Sequence, residues 1–422
     1  MGNVRSEYTD RMGFYGNEDP RALVRRFGSP LYVYNESILR SRCRDLVGLS
    51  PHPGFFVNYS AKANTNPSIL SIIRSEGCVV DAMSPGELFL NRRAGFPPEE
   101  ITYVCNNVSA GELADAARQG CVVSVDSLSQ LDLFGANVPG GKVMVRFNPG
   151  IGAGHSDKVV TGGKKTKFGI DIDRLDDVLE LVRRHHLRLV GINQHIGSLF
   201  MEAAPYVSAM DVLLDLAEKL LSLGEPLEII DFGGGFGIPY HKYEGEARLD
   251  MAALGAALHG KISKWAEEHR YSGRFFVEPG RYIVAECGLV LGTVLATKSN
   301  GSRLYAGTDI GFNVLARPML YDAFHDVEIY RGNGRPGGAC AEQTIVGDIC
   351  ESGDILAKNR MLPLLEQGDV IAMLDAGAYG WVMASCYNSR LRPAEVLIGE
   401  DGSARLIRRR ETLDDLCSTL EF

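Results

Sequence analysis

The 422-residue sequence predicts a (β/α)₈ barrel followed by an antiparallel β domain. Between residues 55 and 278, eight short β-branched or aromatic runs alternate with segments of helical spacing. This alternation favours a parallel sheet, because a parallel strand needs a long crossover to reach its neighbour. Eight units in about 225 residues suit a closed barrel, and a doubly wound open sheet is the alternative.

The predicted barrel strands are all short, and helical spacing fills the segments between them. One such segment contains Leu175, Val178 and Val182. In chain order the strands are Phe55–Tyr59, Cys78–Ala82, Ile101–Val104, Cys121–Val125, Lys142–Asn148, Leu189–Asn193, Leu227–Phe232 and Arg274–Glu278.

The pattern changes after Arg281, where apolar runs follow one another with Gly-rich turns and few helical spacers. This pattern is typical of an antiparallel all-β domain. Its predicted strands are Tyr282–Ala285, Leu289–Leu295, Val327–Tyr330, Gln343–Val346, Val370–Leu374, Glu395–Ile398 and Ala404–Ile407. We therefore expect residues 30–280 to form the barrel, and residues 1–29 with 281–422 to form the β domain.

Composition and charge exclude several classes of protein. The formal net charge of −9 offers no basic field for a nucleic-acid partner. No apolar run approaches the roughly 20 residues that span a bilayer. Nine cysteines without a CxxC pair, and an N-terminus without a secretory signal, indicate a cytoplasmic chain with reduced thiols. No metal site is expected.

Polar or glycine residues lie at or just after the end of each of the eight predicted barrel strands. In such barrels the chemistry lies at the carboxyl ends of the strands. In strand order these residues are Lys62, Asp81, Asn106, Asp126, Asn148, His195, the cluster Gly233–Gly237, and Glu278 with Gly280 and Arg281. Taken singly, a solvated lysine, a structural histidine and a simple glycine turn are the alternatives.

Three of these features together indicate pyridoxal 5′-phosphate. That cofactor needs a Schiff-base lysine, a phosphate site and a partner for its ring nitrogen. Lys62, the glycine cluster after strand seven and Glu278 meet these needs. The glycine cluster matches neither GxGxxG nor the P-loop spacing. A carboxylate at the ring nitrogen favours carbanion-forming chemistry such as decarboxylation.

The sequence also resembles the diaminopimelate decarboxylases, which belong with the ornithine and arginine decarboxylases and resemble alanine racemase. The resemblance runs from about residue 30 to the end and implies the same barrel and β domain. The matching stretches are YSAKAN (59–64), RFNPGIGAGHSDKVVTGGKKTKFGI (146–170), HIGS (195–198), GGGFGIPY (233–240), EPGR (278–281), RPMLY (317–321), CESGD (350–354), GAYG (377–380), YNSRLRPAEVL (387–397) and LIRRRETLDDL (406–416).

The resemblance implies roles for individual residues. Lys62 would carry the cofactor, His195 would stack on its ring, and Cys350 would donate a proton. The cofactor-binding residues would be Lys62, Asp81, His195, Ser198, Gly234, Gly235, Glu278, Gly280, Arg281 and Tyr379. The substrate-binding residues would be Arg281, Arg317 and Tyr321 at the distal carboxylate, Glu351 at the distal amine, and Tyr379.

The implied reaction is decarboxylation of meso-2,6-diaminopimelate to L-lysine and carbon dioxide. The implied assembly is a homodimer with shared active sites, because the CESGD loop of this family reaches the neighbouring subunit. Alternatives are a decarboxylase of another amino acid or of a siderophore or antibiotic precursor, an amino-acid racemase, and a non-catalytic homologue. Glu278 and Cys350 argue against a racemase.

Two further features bear on specificity. Three positions depart from the family pattern, namely Cys105, Asn193 and Cys386. The Gly-rich stretch from Gly150 to Gly169 follows strand five and predicts a lid over the substrate. It contains Lys158, Lys164, Lys165 and Lys167.

Overall fold

The computed structural model describes residues 7–150, 167–332 and 334–421. The chain divides into two compact units. The barrel unit contains Ser41–Ile238 and Arg248–Tyr282. The β unit contains Met1–Arg40, Pro239–Ala247 and Ile283–Phe422. Most of the predicted lid, including Lys158, Lys164 and Lys165, lies outside the described residues.

The described residues form eighteen strands. In chain order they are β1 (Leu31–Asn35), β2 (Phe55–Tyr59), β3 (Val79–Ala82), β4 (Ile101–Val104), β5 (Val122–Val125), β6 (Lys142–Asn148), β7 (Ile170–Asp171), β8 (Arg188–Asn193), β9 (Ile229–Asp231), β10 (Arg274–Val277), β11 (Gly288–Asn300), β12 (Arg303–Thr308), β13 (Val327–Tyr330), β14 (Cys340–Val346), β15 (Ile355–Pro363), β16 (Val370–Met373), β17 (Ala394–Ile398) and β18 (Ala404–Arg408).

The same residues form thirteen α-helices and five short 3₁₀-helices. The α-helices are α1 (Tyr8–Arg11), α2 (Pro20–Phe27), α3 (Glu36–Val47), α4 (Pro67–Ser75), α5 (Pro85–Arg93), α6 (Ala110–Arg118), α7 (Leu128–Asn137), α8 (Leu175–Arg184), α9 (Ala203–Ser222), α10 (Met251–Glu268), α11 (Arg281–Val284), α12 (Arg317–Tyr321) and α13 (Leu413–Cys417). The 3₁₀-helices are Ala61–Ala63, Pro98–Glu100, Ile172–Arg174, Trp381–Met383 and Tyr387–Ser389. In the described part of the chain, no helix is long and apolar enough to cross a membrane.

The barrel unit is a closed parallel barrel, which confirms the predicted fold class. Its strands pair in the order β5-β4-β3-β2-β10-β9-β8-β6, and β5 pairs with β6 to close the ring. Buried apolar side chains from the neighbouring strands β6, β8, β9 and β10, namely Met144, Val190, Ile229 and Phe276, form part of its core. Burial on both faces explains why each strand reads as a short continuous apolar run.

Polar N-cap residues fix where several barrel helices begin. The hydroxyls of Ser84, Ser109 and Ser127 each accept a hydrogen bond from the backbone N–H three residues later. Such caps satisfy N–H groups that have no partner inside the helix. The βα connections before α5, α6 and α7 therefore each end at a defined residue.

The β unit contains a mixed sheet. Its central order is β15-β14-β12-β11-β1-β17-β18, and β16 joins β11 to β13. Most neighbours are antiparallel, as predicted, but β1 pairs with β17 and β12 pairs with β14 in parallel. Parallel neighbours need long connections, and about 360 residues separate the first of these pairs. The predicted strand Tyr282–Ala285 is wrong, because this run lies in and just after helix α11.

Two short segments join the β unit although the predicted barrel limits include them. Strand β1 pairs with β11 and β17, so its partners belong to the β unit. The loop Pro239–Ala247 is held there by Lys242, whose Nζ lies 2.9 Å from Asp375 Oδ2 and 3.1 Å from Glu286 Oε1. Both carboxylates are buried, so the lysine neutralises charge that burial would otherwise make costly.

Candidate active site

Lys62 lies in a short turn that two strand ends anchor. The turn follows β2, and Asp81 at the end of β3 accepts hydrogen bonds from the Ala61 N–H at 2.8 Å and the Ser60 hydroxyl at 3.0 Å. The Ser60 N–H donates to the Pro279 carbonyl after β10, at 3.0 Å. Asp81 therefore positions the backbone that carries Lys62.

Lys62 opens into a cavity of about 300 Å³ at the carboxyl ends of the barrel strands. The cavity is the size of a small-ligand site. Its lining residues all belong to the barrel unit. They are Lys62, Met83, Val104, Cys105, Asn106, Ser124, Asp126, Arg146, Lys167, Phe168 and His195.

His195 is a neutral imidazole fixed by the glycine loop. Its Nδ1 accepts a hydrogen bond from the Gly234 N–H at 3.1 Å. Burial, followed by the nearby cations Lys62 and Arg146, holds the pKa of His195 well below its ordinary value. Since Nδ1 is an acceptor, the proton of the neutral ring is on Nε2.

The glycine loop after β9 is packed too closely for a side chain at Gly234 or Gly235. A Cβ at Gly234 would lie 1.8 Å from the Glu278 carbonyl oxygen, and one at Gly235 would lie 2.3 Å from the Gly197 carbonyl oxygen. Gly235 also has a φ of +109°, which side chains rarely permit. Beside it, the Ser198 hydroxyl accepts a hydrogen bond from Arg281 Nη2 at 3.1 Å. The close-packed glycine loop, a hydroxyl and a guanidinium therefore lie in one region.

Glu278 and Asp231 form a buried pair of carboxyl groups. Burial, followed by the neighbouring Asp231, raises the pKa of Glu278 well above its ordinary value. Burial also raises the pKa of Asp231 to about 7. Within the described residues, Glu278 Oε1 has no hydrogen-bond partner. A buried polar atom of this kind calls for a partner.

The predicted substrate residues of the β unit divide into a buried set and an exposed set. Arg317 is buried at the start of α12, where its Nη1 lies 2.9 Å from His325 Nε2 and its guanidinium lies 4.9 Å from the Tyr240 ring centroid. Tyr321 ends the same helix, partly exposed.

Tyr379 is also partly exposed, and it adopts a left-handed backbone with a φ of +56°. The backbone near Tyr379 packs closely against Val284, since a Cβ at Gly377 would lie 1.9 Å from the Val284 carbonyl oxygen. Cys350 and Glu351 lie on an exposed loop between β14 and β15. The described structure thus brings the predicted cofactor residues other than Tyr379 together in the barrel, and the other predicted residues lie in the β unit.

The barrel residues fit pyridoxal 5′-phosphate. The Glu278 oxygen without a partner suits a ring nitrogen that carries a proton, and the neutral imidazole of His195 offers a flat face. The glycine loop lies beside the Ser198 hydroxyl and the Arg281 guanidinium, and donors of this kind suit a phosphate. Lys62 lines the cavity and would supply the amine.

Comparisons with known proteins agree with this chemistry. Residues 39–285 match the family described as pyridoxal-dependent decarboxylase, pyridoxal binding domain. A diaminopimelate decarboxylase of Methanothermobacter thermautotrophicus is 38% identical over 407 residues, which cover 95% of this chain and 94% of that protein. That of Escherichia coli K12 is 34% identical, with 93% and 94% covered. The chain belongs to the diaminopimelate decarboxylase family.

Solved structures support the same assignment. The diaminopimelate decarboxylase from Helicobacter pylori complexed with L-lysine is 29% identical, with a TM-score of 0.86 and coverage of 95% of this chain and 98% of that chain. The lysine/ornithine decarboxylase from Vibrio vulnificus complexed with cadaverine has a TM-score of 0.78 at 23% identity, with 90% and 95% covered, and shows the shared fold alone. The predicted family, fold and class of enzyme are confirmed.

The three departures from the diaminopimelate decarboxylase pattern each have a partner. Asn193 Oδ1 accepts a hydrogen bond from the Ser124 hydroxyl at 2.8 Å, inside the barrel. The Cys105 thiol lies 3.6 Å from the Ser124 carbonyl oxygen, and burial raises its pKa to about 12. Cys386 Sγ lies 3.2 Å from Glu411 Oε2 in the β unit. Two of the departures therefore meet at one residue of the cavity wall.

The sequence did not predict two charged site residues that lie inside barrel strands. Arg146 on β6 is buried at its guanidinium, lies 4.8 Å from the Phe168 ring centroid and lines the cavity. Asp231 ends β9 beside Glu278. A charge within a largely apolar run could have indicated these residues, namely Arg146 in KVMVRFN (142–148) and Asp231 in LEIID (227–231). A charge in a buried strand is costly unless it has a function or a partner.

Proposed function

We propose that this chain decarboxylates meso-2,6-diaminopimelate to L-lysine and carbon dioxide, with pyridoxal 5′-phosphate bound in the barrel. The observation that carries the proposal is near-full-length similarity to diaminopimelate decarboxylases, together with a barrel site that fits the cofactor. Relatives at 34–38% identity cover more than nine-tenths of the chain, so both the barrel residues and the β-unit residues fall within the match.

Each barrel residue has a task toward the cofactor. Lys62 would hold it covalently, and Ser198, Gly234 and Gly235 would bind its phosphate. His195 would contact its ring, and Glu278 would keep a proton at its ring nitrogen. When bound, pyridoxal 5′-phosphate withdraws the electron pair that the departing carboxylate leaves behind. Burial of Glu278 and Asp231 strengthens every electrostatic contact at that nitrogen.

The β-unit residues bind the far end of the substrate. Arg317 and Tyr321, with Arg281, hold the distal carboxylate, and Glu351 holds the distal amine. Arginine suits the first task because its planar fork matches a carboxylate. After the carboxylate leaves, Cys350 Sγ delivers a proton to the substrate carbon. Tyr379 contacts both cofactor and substrate.

The active form is a cytoplasmic homodimer with shared active sites. The support is the exposure of the loop that carries Cys350 and Glu351. An exposed thiol and an exposed carboxylate suit a loop that completes the site of a second copy, where water is excluded.

Mass spectrometry of the products tests the proposed reaction. The purified protein with pyridoxal 5′-phosphate is offered meso-diaminopimelate, L-lysine, L-ornithine and L-arginine in parallel. We expect L-lysine and carbon dioxide from the first and no amine product from the others. Cadaverine or putrescine would instead indicate a different decarboxylase, and a diaminopimelate epimer would indicate a racemase. The variant Lys62→Ala is the matched control, and it should form none of these products.

A further inference from the structure

We propose that Tyr387 and Asn388 are positioning residues that hold the loop Cys350–Asp354 ready for the reaction. The proposal rests on the proposed roles of Cys350 and Glu351. It concerns contacts that lie wholly within the β unit. Tyr387 and Asn388 are adjacent in the chain. Tyr387 contacts Glu351, and Asn388 contacts Cys350.

Tyr387 orients the Glu351 carboxylate. Its hydroxyl donates a hydrogen bond to Glu351 Oε1 at 2.6 Å, a short distance typical of an ionised acceptor. This hydrogen bond raises the pKa of Tyr387, so the phenol stays protonated and remains the donor. A carboxylate with one oxygen held in this way presents the other in a fixed direction. That second oxygen is the one available to a substrate amine.

The Tyr387 ring is held although 45% of the residue is exposed. It stacks on Phe312 with ring centroids 5.6 Å apart and an angle of 29° between the planes. A hydrogen bond between two exposed side chains is normally weak, because holding both side chains costs entropy and water competes. Stacking removes part of that cost, so the contact has a physical basis for setting the direction of Glu351.

Asn388 anchors the Cys350 backbone. Its Oδ1 accepts a hydrogen bond from the Cys350 N–H at 2.9 Å. Asn388 has a left-handed φ of +54°, a conformation that asparagine tolerates better than most residues. With its backbone held, the thiol of Cys350 has one rotatable bond and three staggered positions. The anchor therefore limits where the proton donor can lie.

The loop remains folded through other contacts. Asp354 accepts hydrogen bonds from the Phe312 N–H at 2.7 Å and the Ile349 N–H at 2.8 Å. Arg390 forms an ion pair with Asp348 at 2.7 Å. These contacts do not involve the Tyr387 hydroxyl or the Asn388 amide. Removing either group should therefore disturb the orientation of Glu351 or Cys350 without unfolding the loop.

The first experiment uses Tyr387→Phe in the holoenzyme, which keeps the stacking and removes the hydroxyl. We expect KM for meso-diaminopimelate to rise about tenfold, the effect of one hydrogen bond to a charged group, with kcat within about twofold. The inhibition constant of 2-aminopimelate, which lacks the distal amine, should stay unchanged. An unchanged KM, or equal rises in KM and in that inhibition constant, would overturn the role of Tyr387.

The second experiment compares Asn388→Gly with Ser389→Gly. Both residues have left-handed φ values, +54° and +55°, so each glycine adds similar backbone freedom. Only the first variant removes the acceptor for Cys350. We expect Asn388→Gly to lower kcat about tenfold with KM within about twofold, and Ser389→Gly to retain kcat. Equal kcat values in the two variants would overturn the role of Asn388.

Two measurements separate this proposal from its alternatives. Thermal unfolding of all three variants should match that of the wild type, because the remaining loop contacts are intact. If the wild type forms no lysine from diaminopimelate, the proposed function itself fails. If the wild type is active and the variants lack the expected KM and kcat changes, only the positioning roles fail.

Discussion

The barrel site and the Cys350–Asp354 loop prepare reactive groups in opposite ways. In the barrel, Asp81 and Asp231 are fully buried and Glu278 is 6% exposed, so desolvation sets their protonation. On the loop, Cys350 and Glu351 are exposed, and hydrogen bonds from the neighbouring segment set their positions. The barrel determines the charge of its groups, whereas the loop determines only their direction.

This difference assigns separate tasks to the two regions. A group whose pKa must differ from its ordinary value needs a dry site, and the barrel provides one before any ligand binds. An exposed thiol gains such surroundings only when another surface covers it. On this view the barrel binds the cofactor by itself, whereas the loop depends on a second copy.

The largest expected effect concerns the barrel amine. Lys62→Arg should lower kcat by more than about a thousandfold, because a guanidinium cannot replace the covalent amine. Borohydride reduction of the wild type should trap the cofactor on the peptide that contains residue 62, and the variant should lose this signal. Lys167→Ala, which changes another lysine of the same cavity, should keep it. Trapping on any other lysine contradicts the assignment.

The next effect concerns the exposed loop. Lys62→Ala and Cys350→Ala should each be inactive alone, and a mixture should recover about a quarter of full activity if subunits exchange at random. The recovered site takes its barrel from one subunit and its loop from the other. A matched mixture of Lys62→Ala with Glu278→Gln, both in the barrel, should recover nothing beyond the separate activities. Heterodimers that form without recovered activity rule out shared sites.

A smaller effect separates close packing from backbone strain in the glycine loop. Gly235→Ala should weaken cofactor binding at least about tenfold and destabilise the protein by roughly 1–3 kcal/mol, because the new Cβ meets the Gly197 carbonyl oxygen. Gly224→Ala, with a φ of +87° and nothing within 4 Å, should cost about 1 kcal/mol and leave cofactor binding unchanged. Cofactor titration and urea unfolding measure both quantities. Equal cofactor affinities would show that the loop does not bind the phosphate.

The smallest expected effect is a pH dependence of the cofactor-free protein. The pKa of Asp231 is raised to about 7 in the folded state, so its contribution to stability is complete below about pH 4 and is lost as the pH rises towards 7. The unfolding temperature should therefore fall by about 2–4 °C between pH 5 and pH 8. Asp231→Asn should flatten this slope, whereas Asp176→Asn, exposed on α8, should not. A wild-type slope in Asp231→Asn would show that Asp231 is not the group responsible for the slope.

The sequence predicted the barrel closely because each parallel strand is a short apolar run between helices. All eight strands lie within two residues of their predicted positions. The β unit was harder to predict. Strand β15 carries Lys358 and Arg360 at the edge of its sheet, and β1 has partners more than 250 residues away, so neither gives a local signal. The run Tyr282–Ala285 is short enough for its composition to suit either a strand or a helix.

The candidate site was predictable where a residue follows a strand. Lys62, His195 and Glu278 were predicted in that way. Arg146 lies within a strand, and a charge there looks like the exposed face of an ordinary sheet until the barrel closes around it. The contacts of Tyr387 and Asn388 with the 350–354 loop join segments about 37 residues apart, and no periodicity reports such pairs.

Strand β1 has a consequence for how the protein is made. All five of its residues are buried, yet it pairs with β11 and β17, whose residues follow the barrel in the chain. During synthesis the barrel segments emerge between β1 and both of its partners. Strand β1 therefore stays unpaired in the nascent chain while the barrel is synthesised. It gains its last neighbour only after residues 394–398 have been synthesised. Translation that stops after the barrel leaves this edge uncovered, so truncated chains should associate with one another or with chaperones.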